Sequence, residues 1–110
     1  MKNVLAFRKI YFLCEIDPRS TIGWITPVYL SFDIDVIDPS ACPGTGTPEI
    51  GGITTAQALE IIRGCRSLNL VGCDLVEVAP IYDTTGLTSL TAANLLFEML
   101  CVLPDAKCFF

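Results

Sequence analysis

Three carboxylates fall within six residues in the run Ser31-Phe32-Asp33-Ile34-Asp35-Val36-Ile37-Asp38-Pro39, directly after an apolar stretch. In Pro27-Val28-Tyr29-Leu30-Ser31-Phe32, β-branched and aromatic residues follow a proline, the composition of a short strand running to about Ile34. Side chains two residues apart on a strand share a face, so Asp33 and Asp35 are expected to point the same way. Two carboxylates ~6–7 Å apart repel by roughly 2–3 kcal/mol at an effective dielectric of about 20. A divalent cation between them reverses the sign of that energy, and oxygen donors suit Mg²⁺, Ca²⁺ or Mn²⁺. The plainer alternative is a loop cap, with Asp38-Pro39 making a turn.

The elements that must hold these groups can be read from period and punctuation. The stretch from Val4 to Cys14 reads as a strand or a short helix, and Ile16 to Pro27 as loop. After the strand from Val28, a long loop from Val36 to Ile53 carries Pro39, Pro43, Gly44, Gly46, Pro48, Gly51 and Gly52. Loops of that length in a compact domain are functional or disordered. Thr54 opens a helix with Gln57 in capping-box position. Ala58, Ile61, Ile62 and Cys65 form its apolar side, Gln57, Glu60 and Arg63 its wet side, and Asn69 ends it. Leu70 to Val78 is a second strand, apolar enough to predict cover on both faces. A last helix spans about Thr88 to Leu103, stopped by Pro104, with Thr91, Asn94 and Glu98 as a narrow polar stripe.

The order strand, loop, helix, strand, loop, helix predicts an α/β fold with parallel strands. Ligands bind beyond the carboxyl ends of such strands. Asp33 and Asp35 sit at one such end and Glu77 at the next, so adjacent strands would bring three carboxylates to one crevice. Glu60 and Glu98 fit helix surfaces, and mid-strand Asp74 predicts a salt bridge or an exposed edge.

Composition narrows the partners. With 110 residues the chain is one domain at most, and its net charge of −5 with no basic run argues against nucleic acid. No apolar stretch approaches a membrane span. A hydrophobic content of 52% is high for a soluble domain, so part of the apolar surface is expected to be covered by the rest of a larger domain or by other subunits. The six cysteines show no C-x-x-C pair, and Cys65, Cys73 and Cys101 fall on apolar faces, which predicts free thiols in a reducing compartment. There is no histidine.

The run from Ser31 to Pro39 resembles the second metal-binding signature of the ureohydrolases, the arginase and agmatinase family. The segments Pro43-Gly44-Thr45-Gly46-Thr47-Pro48-Glu49-Ile50-Gly51-Gly52-Ile53-Thr54 and Asp74-Leu75-Val76-Glu77-Val78-Ala79-Pro80-Ile81-Tyr82-Asp83 look like the agmatinase side of it. The likeness runs in order from about Val28 to Pro104, leaving residues 1–27 as a divergent N-terminal segment and residues 28–110 as a partial ureohydrolase domain. It implies the C-terminal portion of an arginase-like three-layer α/β/α fold with a parallel sheet. It also implies a binuclear Mn²⁺ site in which Asp33 bridges the metals and Asp35 binds one of them. Asp38 would support them or order the loop, and Glu77 would face the substrate guanidinium. No residue is assigned as catalytic.

By the same resemblance the reaction is attack of a metal-bridging hydroxide on agmatine, giving putrescine and urea in polyamine metabolism. A homo-oligomer and a mitochondrial location, with the cytoplasm as alternative, are implied too. The family's Gly-Gly-Asp-His-type and Asp-Ala-His-x-Asp-type segments have no counterpart here, so a truncated form, inactive alone, is expected. The competing expectation is a non-catalytic partner that joins full-length ureohydrolase subunits through an unpaired sheet edge. Phe32-Asp33-Ile34-Asp35-Val36 also fits the nucleophile loop of haloacid-dehalogenase-like phosphatases, but that fold needs a later lysine and the one downstream is Lys107.

Overall fold

The computed structural model describes residues 2–7, 10–15 and 26–106, with side chains from Thr26 onward. Four strands form one sheet in the order β1 (Lys2–Phe7), β2 (Ile10–Glu15), β3 (Val28–Asp33) and β4 (Leu70–Val76). Two helices, α1 (Thr55–Gly64) and α2 (Leu87–Val102), complete it. The pair β3/β4 is parallel, as the alternation of elements predicts, while β1/β2 and β2/β3 are antiparallel. The described residues of the ambiguous stretch from Val4 to Cys14 are therefore paired strand, and the sheet is mixed. Most of the loop expected from Ile16 to Pro27 lies outside the described residues.

Strand β3 alternates as a half-covered strand must. Val28, Leu30 and Phe32 are fully buried, while Tyr29, Ser31 and Asp33 are only partly covered. The buried set joins Ala58 and Ile62 of α1 with Ala92, Leu95, Met99 and Val102 of α2 in one core. Both helices thus share one face of the sheet, and the described residues supply two layers rather than three. Strand β4 departs from expectation. It stands at the sheet edge, and its first turn of pairing slips, Val28 facing Leu70 but Tyr29 facing Gly72. The skipped Val71 is pushed out to solvent.

Helix α1 begins at Thr54 because its orphan amides find partners locally. The Thr54 hydroxyl accepts from Gln57 N at 3.1 Å, and the Gln57 carboxamide accepts from Thr54 N at 2.9 Å. Glu98 corrects the surface assignment made from its place on the polar stripe of α2: it is buried and takes both prongs of Arg63 from α1. Arg63 Nε lies 2.9 Å from Oε2 and Nη2 lies 2.6 Å from Oε1. That paired contact with Arg63 holds the Glu98 carboxyl below its ordinary pKa. Period alone could not show it, since the partner comes from another helix. Cys65, Cys73 and Cys101 are free thiols as their apolar positions predict, and so is Cys42. Among the described residues no helix is long and apolar enough to cross a membrane.

Candidate functional site

The parallel register sets Asp33 opposite Val76, the residue before Glu77. The carboxyl ends of two adjacent parallel strands thus carry Asp33 and Glu77 side by side along the backbone, the place where open α/β sheets bind ligands.

At Asp33 the chain stops being a strand. Ile34–Val36 winds into a single 3₁₀ turn, with Asp33 as its cap and its Oδ1 accepting from Asp35 N at 2.9 Å. Asp35 is consequently on the turn and not two residues further along the strand, which corrects the shared-face geometry. The tight turn buries Ile34, Asp35 and Val36 together, while Asp33 is half-buried. A carboxylate so buried requires donors. Thr47, reaching back from the glycine-rich loop, donates its hydroxyl to Asp35 Oδ2.

That long loop is tied down backbone to backbone. Ile53 N donates to Val36 O at 2.9 Å, Asp38 N to Ile53 O at 3.0 Å, and Glu49 N to Asp35 O at 3.3 Å. Gly52 is required there, because a Cβ on it would sit 2.5 Å from Val36 O and 2.6 Å from Asp38 N. Asp38 accepts from Ser40 Oγ at 2.6 Å, Ser40 N at 2.9 Å and Gly51 N at 3.1 Å. These donors, the Ser40 hydroxyl foremost, hold its carboxyl below the ordinary value. Asp38 thus joins both ends of the loop.

A second polar centre escaped sequence reasoning, which placed Asp83 in a connecting loop and gave it no role. Its side chain is buried. Oδ1 accepts from Thr85 Oγ1 at 2.6 Å and Thr85 N at 3.0 Å, and Oδ2 accepts from Thr88 N at 2.7 Å, in the first turn of α2. Thr88 Oγ1 accepts from Gly44 N at 2.9 Å, and Gly44 O accepts from Ala79 N at 2.7 Å. A Cβ on Gly44 would meet the Cβ atoms of both Asp83 and Thr88 at 2.9 Å. The loop after β3, the loop after β4 and the start of α2 are therefore pinned at one point. The Thr85 hydroxyl, then Thr88, push the Asp83 carboxyl far below the usual carboxylate range. The available signal was an aspartate followed at two residues by threonine, just before a helix.

Glu77 is exposed, two residues before pinned Ala79, and holds a left-handed backbone with φ 71°. Such a conformation in a residue other than glycine costs roughly 1–3 kcal/mol and gathers at functional sites. Asp74, for which a salt bridge or an exposed edge was expected, lies on the edge strand β4 and accepts from Ser31 Oγ at 2.6 Å and Tyr29 Oη at 3.0 Å. That hydrogen bond to Asp74 also raises the Tyr29 phenol above its ordinary pKa.

The donor chemistry decides what the site can hold. The chain has no histidine, and among the described residues no group of three or more His, Cys, Asp or Glu is placed to bind a metal. Asp33 and Asp35 offer carboxylate oxygens only, which suit a hard divalent ion, but among the described residues they do not by themselves complete a two-metal centre. Two surface grooves lie elsewhere: one of about 390 Å³ lined by Ile53, Gln57, Glu60 and Ile61, the other of about 230 Å³ beside Arg66 and Pro104.

Comparison with known proteins bears on this arrangement. The model of the arginase family matches residues 15–101. A guanidinobutyrase of Pseudomonas aeruginosa is 78% identical over 78 residues, covering 71% of this chain and 24% of that protein. The mitochondrial agmatinase of Gallus gallus is 74% identical over 81 residues, covering 74% of this chain and 24% of its own length. Among solved structures, a hypothetical agmatinase from Burkholderia thailandensis superposes with a TM-score of 0.67 at 52% identity, over 70% of this chain and 24% of that one. The chain thus spans about a quarter of the length of the curated relatives it matches.

Two outcomes follow from the pinned loops. Glu77→Gly is expected to be more stable than Glu77→Ala by about 1 kcal/mol in urea unfolding, because glycine adopts a left-handed backbone without steric cost; equal stabilities would remove the strain. Asp83 is depressed in the folded state, so its stabilisation is complete above the unfolded carboxylate pKa of about 3.9 and is lost as pH falls below it. Asp83→Asn should therefore be less stable at pH 7 and lose less between pH 5 and 2, measured by thermal unfolding across that range.

Proposed function

This chain belongs to the arginase family, and from that premise we propose that it acts as part of a ureohydrolase that cleaves the guanidino group of a small linear substrate. The observation that supports this most is the parallel register that sets Asp33 beside the strand end carrying Glu77. In this reading Asp33 and Asp35 are oxygen-donor residues of a two-manganese centre, and the other ligands come from residues outside these 110. When bound, manganese supplies Lewis-acid activation of water at such a centre. The rest of the chemistry described here belongs to the chain itself.

Asp35 is held by Thr47 and its carboxylate is kept in the buried turn. Asp33 is fixed by the amide it caps. Asp38 keeps the loop closed over the turn rather than touching substrate. Glu77, aimed by its left-handed backbone from the pinned strand end, takes the cationic guanidinium through paired charge-assisted hydrogen bonds. The net reaction on agmatine is agmatine plus water to putrescine plus urea.

The two relatives described above are named as a guanidinobutyrase and an agmatinase. Their substrates share the guanidino end and differ in the tail, amine or carboxylate, so agmatine and 4-guanidinobutyrate are the two arms of the test. One of these relatives is named as mitochondrial and one is bacterial; we place the chain in the mitochondrion on the former.

The decisive assay is manganese-dependent urea release by the chain reconstituted with the remainder of a family polypeptide. The expectation is activity on one of the two substrates, a fall of at least 100-fold in Asp33→Asn, and none from the chain alone. Urea release undiminished by Asp33→Asn would refute the assignment, and so would full activity of the isolated 110 residues.

A further inference from the structure

Positive charge gathers where α1 ends, in a chain that is otherwise acidic. From Thr26 to Ala106 the cationic side chains are Arg63 and Arg66, and the stretch from Ile61 to Cys73 carries both with no acid, against a net charge of −5. Ser67 closes the single 3₁₀ turn Cys65–Ser67 that leads from α1 to β4. It is exposed and lines, with Arg66, Leu68, Asn69 and Pro104, the groove of about 230 Å³. This is the amino end of β4, remote from the end that carries Asp33 and Glu77. Ser31 and Ser40 differ in giving their hydroxyls to Asp74 and Asp38, carboxylates that would repel a phosphate. Arg63 is bound to Glu98 of α2, yet its side chain is 54% exposed while that of Glu98 is 8% exposed. The Arg63 contact lowers the Glu98 carboxyl against the effect of burial, and the charge of Arg66 adds to it. One buried carboxylate therefore depends on both arginines, and Gly64 and Cys65 keep a right-handed backbone that brings Arg63 within about one turn of Ser67.

We propose that Ser67 is a phosphorylation site for an arginine-directed protein kinase, and that its phosphate draws Arg63 away from Glu98 and loosens the contact between α1 and α2. Arginines one and four residues before the serine supply the kind of charge pattern by which kinases select substrates. The γ-phosphoryl group of a nucleoside triphosphate passes to Ser67 Oγ. The new O–P bond forms as the bond to the β-phosphate oxygen breaks, the nucleoside diphosphate leaves, and the hydroxyl proton goes to the base of the kinase. The product carries about −1.5 to −2 charges at pH 7 and accepts charge-assisted hydrogen bonds from guanidinium groups. It stands at the carboxyl end of a helical segment, where the macrodipole opposes an anion, so its stabilisation must come from Arg63 and Arg66. Arg63 can turn to it from the wet side, and Glu98 is then left buried without its partner, a costly state that weakens the packing of the two helices.

The test incubates the full 110-residue chain with magnesium, ATP and arginine-directed kinases of the cyclic-nucleotide-, calcium- and lipid-dependent classes. Fragmentation mass spectrometry is expected to place a phosphate on Ser67, and Arg66→Gln should lower the initial rate at that position at least tenfold. In the phosphorylated chain, hydrogen exchange at amides of α1 and α2 should quicken at least fivefold. In Glu98→Gln, checked as folded by circular dichroism, the clasp is already weakened, so phosphorylation should change exchange by less than twofold. Arg63→Gln gives the same comparison from the other partner. Absence of phosphate on Ser67 overturns the site, whether or not a synthetic peptide of residues 61–70 is phosphorylated. Phosphate on Ser67 with unchanged exchange, or with equal quickening in both variants and the unaltered chain, overturns the displacement of Arg63.

Discussion

The parallel ladder between β3 and β4 is the constraint on which the rest depends. It runs from Val28 opposite Leu70 to Asp33 opposite Val76, and everything of chemical interest hangs on its carboxyl end. The ladder is anchored from below by Val28, Leu30 and Phe32, which the two helices bury completely. Because a one-residue slip would turn those three outward and Tyr29, Ser31 and Asp33 inward, the core fixes the register and the register fixes the site. The slip absorbed at Val71 shows where the strain of matching the two strands is released, at the end away from Asp33 and Glu77.

Above the ladder, hydrogen bonds replace apolar packing as the ordering force. Asp33, Asp38 and Asp83 each accept from backbone amides close by, and each sits where regular structure ends. Gly44 and Gly52 let backbones approach too closely for any side chain. The result is a pair of long loops with little freedom, one tied through Asp38 and Ile53, the other through Asp83, Thr88 and Gly44. Rigid loops at a sheet's carboxyl end are what a site needs to hold charged groups in place before a ligand arrives. They also explain how Glu77 can be kept in a backbone conformation it would not adopt alone.

Much of this was legible beforehand, for identifiable reasons. The Thr54/Gln57 box and the periodicity of Ala58 and Ile62 are local signals, and α1 begins where they place it. The strand at Val28 and the helix ending near Pro104 likewise follow from composition and punctuation. Two of the failures were set by contacts between distant residues and one by a local cap. Glu98 reads as surface until Arg63 is brought to it, and Asp83 reads as a loop aspartate until Gly44 and Thr88 close around it. Asp35 left the strand because a cap at Asp33 turned the chain, a choice the alternating pattern does not encode. Of the site, the identities of Asp33, Asp35, Asp38 and Glu77 came from motif, while their separate roles in loop, turn and strand end came from the structure.

Among the described residues the site is therefore one well-ordered set of carboxylates without a third metal-binding group, in a chain without histidine, at the end of the parallel pair β3/β4. Its existence depends on the register of the parallel pair more than on any single carboxylate. The direct measurement is a set of interstrand nuclear Overhauser contacts in isotope-labelled protein. The structure predicts contacts pairing Ser31 with Asp74, Phe32 with Leu75 and Asp33 with Val76. A ladder displaced by one residue, or antiparallel contacts between these strands, would contradict it.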